Sequence, residues 1–165
     1  MPNLRADCDR CCGLCCVVPD HLALQGFPFD KPAERSCTHL DGGHRCTIHE
    51  ARPFHGYTAC AGFDCFGAGQ WITNTLFNGA HWTDSPDCAR RMFAAYRHWA
   101  PRFEAAALLE AAIPYAREDS RSSLASLMAA MLAETDVVHR GITDAVRLRR
   151  ETLSIIRAAL PIAEQ

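Results

Sequence analysis

The chain predicts a mainly α protein in two parts: a turn-rich cysteine module over residues 1–70, then a small antiparallel helical bundle over residues 71–165. Three observations carry this reading. Nine of the ten cysteines lie between Cys8 and Cys65, and Cys88 stands alone. The same stretch holds Pro19, Pro28, Pro32 and Pro53 and glycines at 13, 26, 42, 43, 56, 62, 67 and 69, without a sustained helical or alternating period. Beyond about Gly67, apolar residues recur at helical spacing between helix-stop signals.

The elements follow in order. A segment so rich in turn residues cannot bury a large apolar core of its own, and metal–thiolate bonds can supply the missing folding energy. Residues 70–77 read as a short helix stopped by Asn78-Gly79. Ser85-Pro86-Asp87 then gives an N-cap, a proline at the first helical position and an acidic first turn. The helix after it carries Cys88, Met92, Ala95 and Trp99 on one stripe, and Pro101 is expected to interrupt it. Ala105, Leu108, Leu109, Ala112 and Ile113 form a separate helical run ending near Pro114. Leu124, Leu127, Met128, Met131 and Leu132 give the clearest amphipathic pattern, with a break at Gly141. A last helix over residues 143–160 is expected to turn Val146, Leu153, Ile156 and Leu160 inward and Arg147, Arg150, Glu151, Ser154 and Arg157 outward. Short connections between three or four such helices make a small bundle.

Composition narrows the function classes. Net charge is −2, Lys31 is the only lysine, and the one dense basic group is Arg147, Arg149 and Arg150. That is not the footprint of a nucleic-acid binder. No apolar run reaches the length of a membrane span, and the mean hydropathy is −0.11. Neither nucleic acid nor membrane is expected as a partner, and a protein partner stays open and unidentified. Residues 1–7 lead directly into cysteines with no apolar h-region, so the expected location is the cytoplasm. In that reducing compartment, clustered cysteines point to metal or redox chemistry rather than to disulfides.

The cysteine pattern then names donors. Cys8, Cys11, Cys12, Cys15 and Cys16 offer several pairs three or four positions apart, a spacing at which a tight turn aims two sulfurs at one centre. Gly13 sits where such a turn wants an unrestricted backbone. Neighbouring side chains of an extended segment point to opposite sides. Each adjacent pair, Cys11-Cys12 and Cys15-Cys16, therefore suits two different centres, or one ligand and one buried thiol, better than a single ion, a hint of two centres. Downstream stand Cys37, the Cys-x2-His knuckle Cys46/His49, and Cys60-x4-Cys65. Asp41-Gly42-Gly43 is a turn signal that can bring Cys37 and Cys46 together. Setting aside Cys12 and the core-facing Cys88, the candidate ligands are Cys8, Cys11, Cys15, Cys16, Cys37, Cys46, His49, Cys60 and Cys65. The spacing is neither that of the common bacterial ferredoxin run nor a clean pair of zinc knuckles. His39 follows Cys37 but equally suits a turn cap, whereas His21, His44, His55, His81, His98 and His139 read as surface or packing residues, and Met128 and Met131 as core. A cysteine nucleophile, Cys60 or Cys65 with His81, competes poorly because a thiolate spent on metal is not free to attack.

The run Cys8 to Cys16, Cys37-Thr38-His39-Leu40, Cys46-Thr47-Ile48-His49-Glu50, Arg52-Pro53 and Cys60-x4-Cys65 resembles the YkgJ-type cysteine-cluster family. The resemblance implies a zinc- or iron-chelating domain. It extends to the cysteine segment of a flagellin lysine methylase described as carrying an iron–sulfur cluster. It covers roughly residues 4–70 and departs from the commoner pattern in the three residues between Cys11 and Cys15, the extra Cys12 and the wide Cys60/Cys65 pair. The expected cofactor is an iron–sulfur cluster, a 4Fe-4S form among the choices, or zinc, in one or two centres. Three function classes follow: a metal-binding protein in electron transfer, metal handling or sensing; a metal-dependent modifying enzyme or enzyme subunit with an open coordination position; and a structural zinc module joined to a helical protein-interaction domain.

Overall fold

The computed structural model describes residues 1–133 and 144–161. The expected break at Gly141, the helix start at residue 143 and His139 lie outside the described residues. Among those described there is no β-strand, only isolated antiparallel bridges pairing His21 with Lys31 and Leu40 with Cys46. The fold is mainly α, as the periodicity predicts.

Short helices build the first part. Helix α1 (Leu14–Val17) opens at Gly13, whose φ of +73° is open to glycine at no steric cost. Helix α2 spans Thr58–Ala61, and helix α3 (Ala68–Trp71) runs on into a π turn over Ile72–Leu76. Asn78 and Gly79 follow with positive φ, and the Gly79 N–H bonds the Thr73 carbonyl at 2.8 Å, so the stop signal works two residues past the turn.

Helix α4 (Pro86–Ala112) organises everything else. The Ser85 hydroxyl caps it by accepting the Cys88 N–H at 3.1 Å, with Pro86 in the first turn. The sequence expectation of two helices divided at Pro101 is corrected here: α4 runs through Pro101 and absorbs the 105–113 run. Proline leaves the Arg97 carbonyl without its helical donor. Met92, Ala95, Tyr96, Trp99, Phe103, Ala106 and Leu109 are nonetheless buried along one face, and their packing outweighs that loss. Helices α5 (Glu118–Ala133) and α6 (Ala145–Ala159) pack on α4, and Arg117 ties them together by bonding the Ala158 and Ala159 carbonyls through its side chain and N–H.

The inward face of α6 is a second correction. Val146 is 78% exposed and Leu153 42% exposed, whereas Thr152 and Ala159 are buried and Ile156 is partly so. A polar residue can take the inner position because the Thr152 hydroxyl donates to the Leu148 carbonyl at 2.8 Å.

One apolar cluster joins the two ends of the chain. Cys12, Leu14, Val17 and Val18 from the cysteine-rich part pack with Ala68, Ile72, Met92, Trp99 and Phe103, and Trp71 sits 4.6 Å from Trp99 between ring centroids. The cysteine-bearing loops are thereby seated against α4.

Candidate metal centre

Three stretches deliver the sulfurs. In the first, a 3-10 turn over Cys8–Arg10 ends with the Cys11 N–H bonded to the Cys8 carbonyl at 3.2 Å, after which Gly13 starts α1 and sets Cys15 and Cys16 side by side. In the second, the Asp41 carboxylate accepts the N–H groups of Gly43 and Arg45 at 2.9 and 2.8 Å, and the chain folds back so that Leu40 bridges Cys46. The turn expected from Asp41-Gly42-Gly43 therefore forms. The Cys37 N–H also donates to the Cys16 carbonyl at 2.9 Å, which ties this loop to the first. In the third, Arg52 reaches from its own turn to the Cys60 carbonyl and to the His49 carbonyl, both at 2.7 Å, while the Ala68 N–H bonds the Cys65 carbonyl at 3.0 Å.

The result is one cavity of about 380 Å³ lined by Cys8, Cys11, Cys15, Cys16, Cys37, Cys46, Cys60 and Cys65, with His49 among its walls. Every donor named from the sequence stands on it. A small side cavity of about 20 Å³ adjoins it, walled by Cys8, Cys11, Cys15, Cys65, Gly69, Gln70 and Tyr96. Cys12 turns the other way: it is fully buried, with its sulfur 3.3 Å from both the Thr73 hydroxyl and the Met92 sulfur. Cys88 lies at the start of α4 and lines neither cavity. His49 is exposed, and its Nδ1 pairs with the Glu50 carboxylate at 2.9 Å. Among the described residues, no three His, Cys, Asp or Glu donors are drawn tightly enough together to enclose a single ion.

Several wall residues escaped the sequence reading. Lys31 is 4% exposed, and its ammonium donates to the carbonyls of Val17, Pro19, Pro32 and Arg35 at 2.6–3.2 Å. Its one signal was being the only lysine in the chain. Arg45 bonds the Cys11 carbonyl at 3.0 Å and also the Asp9 carbonyl, and pairs with the Asp9 carboxylate. His21, His39 and His44 also reach the cavity. His21 stacks on Phe27 at 4.1 Å and His39 meets Tyr57 edge-on at 5.2 Å, so both double as the packing of a small aromatic nest.

Burial governs the protonation of this set. It pushes the Cys11 thiol up to about 12 and the Cys60 thiol up to about 11, and it raises Cys8 and Cys46 as well. Cys15 and Cys16 share a hydrogen bond that raises Cys15 and lowers Cys16, and Lys31 and Arg52 add to the lowering of Cys16. The three cations Lys31, Arg45 and Arg52 thus stand where thiolate charge would collect.

Eight thiols on one cavity are the donor chemistry that a thiolate-bound metal group would use. Gly69 gives the sharpest local evidence, since a Cβ there would lie 2.6 Å from the Cys11 sulfur and 3.8 Å from the Cys65 sulfur. Its φ is not in the left-handed region, so the glycine serves space between two sulfurs rather than backbone conformation.

The chain is similar to two bacterial proteins. It is 36% identical to YybG of Bacillus subtilis over 94 residues, which are 57% of this chain and 34% of that protein. It is 45% identical to a UPF0153 protein of Pseudomonas aeruginosa over 42 residues, 25% of this chain and 50% of that one. The chain thus spans between a third and a half of these relatives. No family model matches it, and no solved structure matches it.

Proposed function

We propose that this protein is a metal-binding protein of the YkgJ type, holding iron–sulfur clusters through the cysteines around the cavity and serving electron transfer, metal handling or sensing. One observation carries the reading: eight cysteines from three separate stretches line a single cavity of about 380 Å³, while the other two face elsewhere. Eight thiolates are twice what one tetrahedral ion takes. The room between them suits groups whose iron and sulfide atoms fill space better than bare ions do. When bound, such a group supplies one-electron redox capacity, which these residues lack on their own. Residues 1–70 supply the donors in this reading, and the helical part supplies the wall behind them. Clustered free thiols suit a reducing compartment, and this reading takes the cytoplasm as the protein's location.

The test is metal, sulfide and visible-spectrum analysis of anaerobically purified protein. Brown protein with bound iron and acid-labile sulfide is expected. A colourless protein with stoichiometric zinc would replace this reading with a structural zinc module and a helical interaction domain. Metal-free protein whose ten cysteines form five disulfides under reducing preparation would defeat both.

A further inference from the structure

The geometry assigns the eight cysteines to two separate four-thiolate centres, Cys8/Cys11/Cys15/Cys65 against the α4 residue Tyr96, and Cys16/Cys37/Cys46/Cys60 beside Lys31. The assignment rests on the metal reading above and says how that site is divided.

Main-chain ties draw the line. Cys8 and Cys11 belong to one 3-10 turn, joined by the Cys11 N–H to Cys8 carbonyl bond of 3.2 Å. The side chains of Cys11 and Cys65 both approach the empty Cβ position of Gly69, at 2.6 and 3.8 Å. Cys15 completes this group, because these four and no other cysteines wall the small side cavity. On the other side, Cys37 is bonded through its N–H to the Cys16 carbonyl at 2.9 Å, and the Asp41 turn sets Cys46 next to it. Arg52 fastens the Cys60 carbonyl to the His49 carbonyl of the Cys46–His49 turn. The cavities agree with the ties: Cys16, Cys37, Cys46, Cys60, Lys31 and Tyr57 all line the large cavity, and none of them walls the small one. Cys15 and Cys16, hydrogen-bonded to each other, are the seam between the two groups.

Tyr96 marks the first centre independently. It is 4% exposed, and its hydroxyl is buried with no hydrogen-bond partner while lining the side cavity. An unpaired buried hydroxyl costs about 1–3 kcal/mol; no cysteine sulfur satisfies it in this structure, so the acceptor it lacks would be a sulfide of the group bound there. Tyr96 is a positioning residue in this arrangement, donating to a sulfur and holding no metal itself. His49, engaged with Glu50 at the rim, is surplus to both sets of four.

The full chain is loaded anaerobically, in parallel, with iron(II) and sulfide or with zinc(II) alone, and metal per chain is counted. Cys11→Ser, Cys65→Ser and the double variant Cys11→Ser/Cys65→Ser are each expected to keep half of the wild-type metal. Cys37→Ser and Cys60→Ser lose the other half, the cross-set double variant Cys11→Ser/Cys60→Ser loses all, and His49→Ala keeps all. Where a variant fails to fold, stepwise loading of the wild type with alkylation mapping decides instead: thiols should become protected in these two groups of four. In the iron-loaded protein, Tyr96→Phe should shift the visible bands of wild type and leave those of Cys11→Ser unchanged. Loss of all metal from Cys11→Ser/Cys65→Ser, protection of all eight thiols together, or no band shift with Tyr96→Phe overturns the division. Wild type that takes up neither metal refutes the metal-binding reading itself, a distinguishable outcome.

Discussion

Replacing Gly69 by alanine should remove one metal centre while leaving the fold. The added Cβ would stand 2.6 Å from the Cys11 sulfur, and ordinary contact begins at 3.4 Å, so that sulfur must retreat by about 0.8 Å. Arg45 holds the Cys11 carbonyl and the turn from Cys8 holds its N–H, so with the backbone fixed the sulfur clears the new Cβ by rotating about its own Cα–Cβ bond, away from its place beside Cys65. A ligand displaced by that amount lies well outside the roughly 0.2 Å tolerance of a metal site. Overpacking costs about 1–3 kcal/mol, and the gain from placing alanine in helix α3 offsets about 1 kcal/mol of it. The metal-free chain should therefore lose no more than about 2 kcal/mol in denaturant unfolding. The loaded chain should lose half its bound metal. Gly42→Ala is the control, because no atom lies within 4 Å of its Cβ position. Full metal content in Gly69→Ala, with an unchanged visible spectrum, would refute the claim that this glycine keeps space between two ligand sulfurs.

Lys31→Met should destabilise the chain by about 2–4 kcal/mol in denaturant titration, because four inward carbonyls lose their shared donor. The thiol shifts predict opposite pH trends with and without metal. Burial raises Cys11 to about 12 and Cys60 to about 11, so the fold favours their protonated forms. Stability of the reduced, metal-free chain should be full below about pH 9, the ordinary thiol range, and fall as pH rises through 11 to 12, read as melting temperature against pH. Metal loading displaces those protons and should weaken as pH falls, with proton release measurable in unbuffered solution. Phe103→Ala should cost about 3–5 kcal/mol, since the ring is fully buried, whereas Val146→Ser should change unfolding by less than about 0.5 kcal/mol.

Much was legible from residue identity and spacing. Sulfur donors are chemically distinctive, and clusters of them in a segment poor in apolar residues have few other uses. The cap at Ser85-Pro86 and the stop at Asn78-Gly79 were legible because each answers a local backbone need that the tertiary fold does not alter. Pro101 was misread for the opposite reason. Its local cost of about 3 kcal/mol is visible in sequence, but the burial of Trp99 and Phe103 on either side of it is not. The inner face of α6 failed similarly, because hydrophobicity alone could not show that Thr152 satisfies its hydroxyl within its own helix and so can face α4.

The sequence by itself determined that this protein has a cysteine module with a set of nine metal-donor candidates, set before a helical part. Only the tertiary structure decided which of the competing sulfurs reach the cavity. Cys12 and Cys11 are neighbours with equivalent spacing to Cys15, yet one sulfur lies against Met92 in the core and the other beside Gly69 in the cavity. That choice depends on the extended backbone at Cys11, the left-handed turn at Gly13 and the position of α4 behind them. Those are long-range facts, because a side chain's direction follows from where the chain is packed, and spacing along it records only which residues are close enough to compete.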